Sequence, residues 1–232
     1  MPALGYLKSS VSTLVLQYNE YSSNTNTQPS EAAFLASILP QYTAHQRRQI
    51  PLRVLVSPTN YYNLARMYQQ IPNVEVRPFL LKPQHLNVGM MLSLMSVSQA
   101  DSTPLYMAQV TKVLRTMAME RAGRFDYADF RRRLAECGLA RNQNLFLDQR
   151  LDLLESYLDF SGQAGDYFVD GGVTILDLSC PFVDQSTACV LFRMAIDLFL
   201  NAHPSRGKMI VADEAHKVTI SRYEKYTDAL ST

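Results

Sequence analysis

Two adjacent acids, Asp213 and Glu214, directly follow the apolar run KMIVA at residues 208–212. A short apolar run of this kind is typical of a strand buried in a parallel sheet. An acid at the carboxyl end of such a strand can hold Mg²⁺ beside the phosphates of a nucleotide. A second acid can polarise an attacking water as a general base. We therefore interpret Asp213 as the ligand of a nucleotide's magnesium and Glu214 as the catalytic acid.

The alternative for the same residues is a strand that ends in an acidic pair on the surface. Two neighbouring carboxylates are costly to bury unless a cation or specific hydrogen bonds compensate them. His216 follows in the order DEAH and is a candidate for coupling the site to a neighbouring surface. Its own alternative is a solvated start to the next loop.

Several apolar segments predict the sheet that positions these acids. Helical spacing and caps predict helices between them, at residues 30–39 with Ser30 as the cap, 60–70 and 184–201. Strands separated by helices, with apolar runs in place of clean alternation, indicate a parallel sheet covered on both faces. We expect an α/β fold in which these strands are buried. The predicted strands are residues 11–21, 52–57, 74–79, 171–179 and 208–213.

A helical segment interrupts the alternation of strands and helices. Asp126 is placed to cap a helix, and Gly138 is placed to end it in the left-handed conformation. We therefore divide the chain into a first part of the α/β core at residues 1–85, a helical insertion at 86–160, and a second part of the core at 161–232, which carries the acidic pair.

The composition is that of an ordinary globular protein. Of its 232 residues 47% are hydrophobic, and the formal net charge of +1 gives no global reason to expect nucleic acid or an anionic membrane. Three cysteines without a CxxC pair argue against a disulfide framework and a structural zinc site. No secretory signal or membrane-spanning run is visible, so we expect a soluble intracellular protein without membrane insertion.

Five segments within residues 50–217 together resemble the HerA-like branch of the HerA–FtsK P-loop ATPases. This resemblance implies a RecA-like parallel sheet, binding of ATP and Mg²⁺, ATP hydrolysis, a hexameric ring of identical subunits and DNA as partner. It also implies that Asp213 is the magnesium-side acid and Glu214 the catalytic acid, whereas we expect a mainly structural role for Asp177. The segments are VEVRPFLL, HLNVGMMLSLM, PLYMAQVTKVLR, VTILDLSCPFVD and GKMIVADEAHK.

The sequence departs from that family in its phosphate-binding loop. No GxxxxGK[ST] motif is present, and GYLKSS, with Gly5, Lys8 and Ser9, is the one candidate for a remnant. Leu7 stands where the loop needs a glycine, and a side chain there would obstruct the phosphates. The segment after Glu214 is also shorter than the family implies, so we expect a chain shortened at both ends relative to a working ATPase.

Two other functions stay open. A superfamily 1 or 2 helicase fragment is suggested by DEAH and by RVLVSPTNYYNLA, although no SAT-like motif follows. A non-enzymatic interaction module that keeps the fold and has lost hydrolysis is suggested by the missing phosphate loop. Nucleotide binding discriminates this module from an active ATPase.

Two clusters of residues suggest nucleic-acid contacts and have simpler interpretations. Arg131, Arg132 and Arg133 occupy consecutive helix positions, with Arg124 and Arg141 nearby. Because consecutive positions point in different directions and acids alternate with them, we favour a solvated helix face over a DNA-binding stripe. A second, aromatic cluster is more typical of packing than of base stacking. It comprises Tyr61, Tyr62 and Tyr68.

Overall fold

Five parallel strands form one sheet, as the apolar runs predict. The computed structural model describes residues 10–19, 28–37, 50–96, 106–120, 125–139, 141–162 and 165–213. The strands are β1 Ser12–Gln17, β2 Leu52–Val56, β3 Val74–Pro78, β4 Val173–Asp177 and β5 Lys208–Ala212. The α-helices are α1 Tyr61–Tyr68, α2 Val88–Ser96, α3 Tyr106–Glu120, α4 Tyr127–Glu136, α5 Arg141–Ser156 and α6 Gln185–Asn201. Single turns of 3₁₀ helix cover Glu31–Ala36, Pro58–Asn60 and Pro83–His85.

The strand order is β3-β2-β4-β1-β5, and every pairing is parallel. The expected α/β class with a parallel sheet is therefore confirmed. β1 lies between β4 and β5, so the two strands that carry acids at their carboxyl ends flank the first strand of the chain. Non-consecutive neighbours of this kind arise because each parallel connection crosses over the sheet.

Both faces of the sheet carry helical cover. On one face Val15, Val54 and Ile175 pack with the 3₁₀ helix Glu31–Ala36 and with Leu64 of α1. Helix α6 also contacts the sheet, at strand β1. Ser30 does not cap the 3₁₀ helix through its side chain, which corrects the sequence prediction.

The last strand differs from its predicted burial. β5 pairs only with β1 in the described part of the chain, and its apolar side chains are half-exposed. Met209, Ile210 and Val211 have exposed fractions of 50%, 40% and 39%. The prediction of a buried strand was wrong here because an apolar run does not tell whether its strand lies inside the sheet or at its edge.

Residues Leu80–Gly165 form a compact unit by themselves, and Met1–Phe79 with Asp166–Thr232 form the other. The first of these contains α2 to α5 and is helical as predicted. Asp126 caps α4 by accepting a hydrogen bond from the amide of Asp129 at 3.1 Å, and Gly138 follows α4 with a φ of 61°. No helix within the described ranges combines the length and the apolar character needed to cross a membrane.

Candidate functional site at the carboxyl edge of the sheet

The candidate acids lie on either side of β1 where the strands end. Gln17, the last residue of β1, is in register with Asp177 of β4. On the other side the amide of Asp213 donates to the carbonyl of Leu16 at 2.9 Å. Ligands of parallel α/β sheets bind at this carboxyl edge, so the structure brings Asp177 and Asp213 to the edge where a site is expected.

Asp177 is fully buried, and its carboxylate accepts hydrogen bonds from Tyr68 and from both the amide and the side chain of Ser179. The hydroxyl of Tyr68 donates to Oδ2 at 2.8 Å, and the amide of Ser179 donates to Oδ1 at 2.9 Å. Burial raises the pKa of Asp177, and the hydrogen bonds from Ser179 and Tyr68 partly offset this rise. With both oxygens bonded inside the protein, the geometry agrees with the structural role expected of Asp177.

Tyr68 joins α1 to this carboxylate. Burial raises the pKa of Tyr68 well above its ordinary value, the carboxylate of Asp177 adds to the rise, and Asp213 contributes a smaller share. The phenol therefore stays protonated and donates to Asp177, while it accepts a hydrogen bond from the amide of Ser30 at 3.0 Å.

Asp213 is half-buried. It is the residue that the sequence predicts to hold magnesium, and it lies within the described part of the chain. The described residues contain no group of three or more His, Cys, Asp or Glu side chains arranged to hold a metal. Two buried oxygens near the same edge, Gln17 Oε1 and Ser30 Oγ, have no hydrogen-bond partner. Since Mg²⁺ prefers oxygen ligands, these atoms together with Asp213 fit a magnesium ion by donor type. Glu214 and His216 lie outside the described residues.

The segment that leaves β1 at this edge contains no glycine. Residues 18–30 read YNEYSSNTNTQPS, and their first two residues are fixed to the turn after β4. The Tyr18 hydroxyl donates to the carbonyl of Val183 at 2.7 Å, and the Asn19 amide donates to Ser179 Oγ at 3.0 Å. A phosphate-binding loop needs glycines at this point so that its backbone can approach the phosphates.

The proposed remnant Gly5, Lys8 and Ser9 lies outside the described residues. Ser10, the first described residue, lies at the amino end of β1, whereas Asp213 lies at the carboxyl end. A strand of this length spans about 20 Å. The segment that follows β1 at the carboxyl edge is residues 18–30, in which the sequence shows no phosphate-loop motif.

Polar residues that the sequence analysis did not single out join the ends of β2 and β4. The Asn60 side chain donates to the carbonyl of Ser179 at 3.0 Å, and Thr59 Oγ1 lies 3.0 Å from the sulfur of Cys180. The amide of Ser57 donates to the carbonyl of Asp177 at 3.1 Å. The sequence signal for this network is a set of small polar residues that directly follow two apolar runs. These residues are SPTN after the first run and SC after the second.

The basic cluster on α4 is engaged in ion pairs. Arg132 pairs with Asp129 and with Glu136, and Arg133 also pairs with Asp129. Arg131 lies 3.3 Å from Glu155. These contacts favour the interpretation as a solvated helix face.

The aromatic cluster on α1 divides between the interior and the surface. Tyr68 is fully buried, whereas Tyr62 is 84% exposed and its ring meets that of Tyr61 edge-to-face, with 5.6 Å between the centroids. Residues 61 and 68 are seven positions apart and share a helix face, but residue 62 is rotated away from that face.

Comparison of the chain with models of protein families gives no match, and comparison with curated proteins gives no match either. The HerA-like resemblance therefore stays a prediction from the sequence motifs.

The Tyr68–Asp177 hydrogen bond leads to a test of stability. Tyr68→Phe should lower the free energy of unfolding by about 1–3 kcal/mol, because it leaves a buried carboxylate oxygen and the Ser30 amide without their partner. Tyr62→Phe on the same helix is the control and should have no measurable effect, since that side chain is 84% exposed. Urea unfolding monitored by circular dichroism measures both changes.

The same variant should show a pH dependence of known sign. Since burial raises the folded-state pKa of Asp177, the stability linked to its proton is present at low pH and is lost as pH rises through that pKa. The Tyr68 hydrogen bond lowers this pKa, so its removal should cost more at about pH 8 than at about pH 5. An equal cost at both pH values would show that the hydroxyl does not stabilise an ionised Asp177.

Proposed function

We propose that the chain is an ATPase-type α/β domain of the HerA-like kind, which by itself binds Mg-ATP weakly or not at all. The observation that carries this proposal is the placement of Asp213 beside the carboxyl end of β1, between the two acid-bearing strands β4 and β5. Its amide binds the carbonyl of Leu16, so the acid that ends the apolar run KMIVA reaches the carboxyl edge of a parallel sheet. The KMIVADEAH motif and the parallel sheet support the same function.

The two acids would have different tasks in this chemistry. Mg²⁺ held through Asp213 would neutralise charge on the β- and γ-phosphates of ATP. Glu214 would accept a proton from water as the water attacks the γ-phosphorus, and ADP and phosphate would leave. DNA and a hexameric ring, which the resemblance implies, belong to this proposal as partner and assembly.

The contacts to the phosphates set the expected affinity. In P-loop proteins the backbone amides of a glycine-rich loop and its lysine supply most of these contacts. Residues 18–30, which follow β1, contain neither glycine nor lysine. Asp213 reaches the phosphates only through the metal, so it cannot replace these donors.

Isothermal titration calorimetry of the chain with Mg-ATP tests the affinity directly. We expect no binding tighter than about 10 μM, which corresponds to roughly −7 kcal/mol. Titration with ATP in the presence of EDTA is the control for metal-dependent binding. A tighter Mg-dependent affinity would mean that phosphate donors exist which the motifs do not identify.

The acids can be tested separately wherever ATP hydrolysis is measurable above background. Glu214→Gln should keep nucleotide binding and lower the rate by about 10²- to 10⁴-fold, the usual contribution of a positioned base. Asp213→Asn should also weaken Mg-dependent binding, because it removes a charge opposite the cation. Equal hydrolysis rates for wild type and Glu214→Gln at saturating Mg-ATP would exclude the assigned role of Glu214.

A non-enzymatic interaction module is the second candidate, and the exposed edge of β5 favours it. Met209, Ile210 and Val211 are apolar and 39–50% exposed on a strand that pairs on one side only in the described chain. An apolar edge strand with free backbone groups is a template for pairing with another strand. A second copy of the chain, joined through the same strand, is the occupant we propose for this edge.

Sedimentation velocity over a range of protein concentrations tests the edge. We expect concentration-dependent association of the wild type that Met209→Lys abolishes, since an edge lysine blocks strand pairing. Met119→Lys is the matched control, because Met119 is 81% exposed on a helix. A wild type that stays monomeric, or two variants with the same behaviour, would exclude this second function.

A further inference from the structure

A groove lies between the 3₁₀ helix Glu31–Ala36 and α1, on the side of the sheet that these elements cover. Its volume is about 550 Å³, which falls within the range of small-molecule pockets. Apolar and amide side chains share its lining with one arginine. The residues that the following argument uses are Phe34, Asn63, Arg66, Met67, Gln70 and Ile71.

We propose that this groove binds the base of an adenine nucleotide. The proposal deepens the ATPase-type function and rests on it for the identity of the nucleotide. It assigns recognition of the base to side chains of the groove, none of which is one of the acids at the carboxyl edge. A flat heteroaromatic ring with donors and acceptors along its edge fits the lining by shape and by chemistry.

Phe34 supplies a ring for stacking. Its side chain is 51% exposed although it is one of the largest apolar residues in its helix. Met67 of α1 and the buried Ile71, three residues beyond its end, give the groove an apolar floor. Bases stack on exposed aromatic rings with a useful affinity, and the arrangement leaves the polar edge of the base free for hydrogen bonds.

Two side-chain amides of the groove can form hydrogen bonds with the polar edge of the base. Asn63 Nδ2 donates to Asn60 Oδ1 at 2.9 Å, so the orientation of its amide is fixed by a neighbour on the chain. That bond leaves the Asn63 carbonyl oxygen as an acceptor for the exocyclic amine of adenine. Gln70 adds a second amide, and Asn and Gln are the side chains that match the donor and acceptor pair of adenine.

The charge of the lining fits an anionic ligand. Arg66 is its one ionisable residue, and it is exposed, so the groove carries a positive charge without an acid. A second groove, of about 500 Å³, lies in the helical unit, but its Arg131 is ion-paired with Glu155. The first groove is therefore the better match for a nucleotide.

The groove also adjoins the carboxyl edge. Pro29 belongs to its lining and directly precedes Ser30, whose amide binds the Tyr68 hydroxyl. The same hydroxyl donates to Asp177 at the carboxyl end of β4. Hydrogen bonds therefore link the Pro29–Ser30 end of the groove to the carboxyl end of β4.

The test is an NMR titration of the ¹⁵N-labelled chain with adenosine, which has no phosphate and so does not report on Asp213. We expect saturable shifts for Phe34, Asn63 and Gln70 with a dissociation constant on the order of a millimolar. Phe34→Ala should weaken binding about tenfold through loss of stacking. Leu35→Ala is the control, because Leu35 lies on the same helix with the same exposed fraction of 51% and does not line the groove.

Each outcome bears on one proposal. Absence of saturable shifts, or an equal loss in both variants, would overturn the base-binding groove. Binding of a single-stranded oligonucleotide without binding of adenosine would overturn it as well, in favour of nucleic acid. Asp213→Asn should leave adenosine binding unchanged, because Asp213 does not line the groove. Adenosine binding together with equal ATP hydrolysis by wild type and Glu214→Gln would retain the groove and reject the ATPase-type function.

Discussion

The buried carboxylate of Asp177 is the constraint on which the carboxyl edge of this sheet depends. A charge at this depth is tolerated only when donors surround it, and the donors come from different parts of the chain. Tyr68 binds it from α1, and Ser179 binds it from the turn that follows β4. Because Tyr68 also accepts from Ser30, one carboxylate fixes the end of β4, the helix α1 and the start of the first 3₁₀ helix. The elements that form both the candidate metal edge and the groove are thus joined through a single side chain.

The sheet order explains why the two acids at this edge differ in environment. β4 has a neighbour on each side, and Asp177 at its end is enclosed by them. β5 has β1 alone as its described neighbour, so Asp213 stays half-exposed and open to a solvated cation. An enclosed, fully bonded carboxylate suits a structural role, whereas a half-exposed one can exchange ligands. This difference supports Asp213 over Asp177 as the residue that would hold a metal.

Local pattern made the elements predictable, and long-range pairing made the site harder to predict. Apolar runs identify strands by themselves, so the α/β class and the parallel sheet follow from the sequence. Helical spacing also identifies the buried face of α5, because the buried residues Leu147, Leu151 and Leu154 are spaced four and three positions apart. Leu145 precedes Leu147 by two positions, more than half a turn around the helix, and it is 60% exposed. The Tyr68–Asp177 bond joins residues 109 positions apart, and nothing in either local segment indicates it.

The magnitudes of the contacts decide which part of a nucleotide this chain can recognise. A hydrogen bond to a charged group contributes about 1.5–3 kcal/mol, so a phosphate loop that supplies three of them contributes roughly 5–9 kcal/mol. Residues 18–30 contain no glycine, so the binding free energy that a phosphate loop would contribute has no known source in this segment. A metal held through Asp213 acts only once the phosphates are nearby. Stacking on Phe34 and hydrogen bonds to two amides do not depend on such a loop. If this chain binds a nucleotide, the base is therefore the part that its described residues are best equipped to hold. The acids at the carboxyl edge would then act on a ligand whose position the groove has already set.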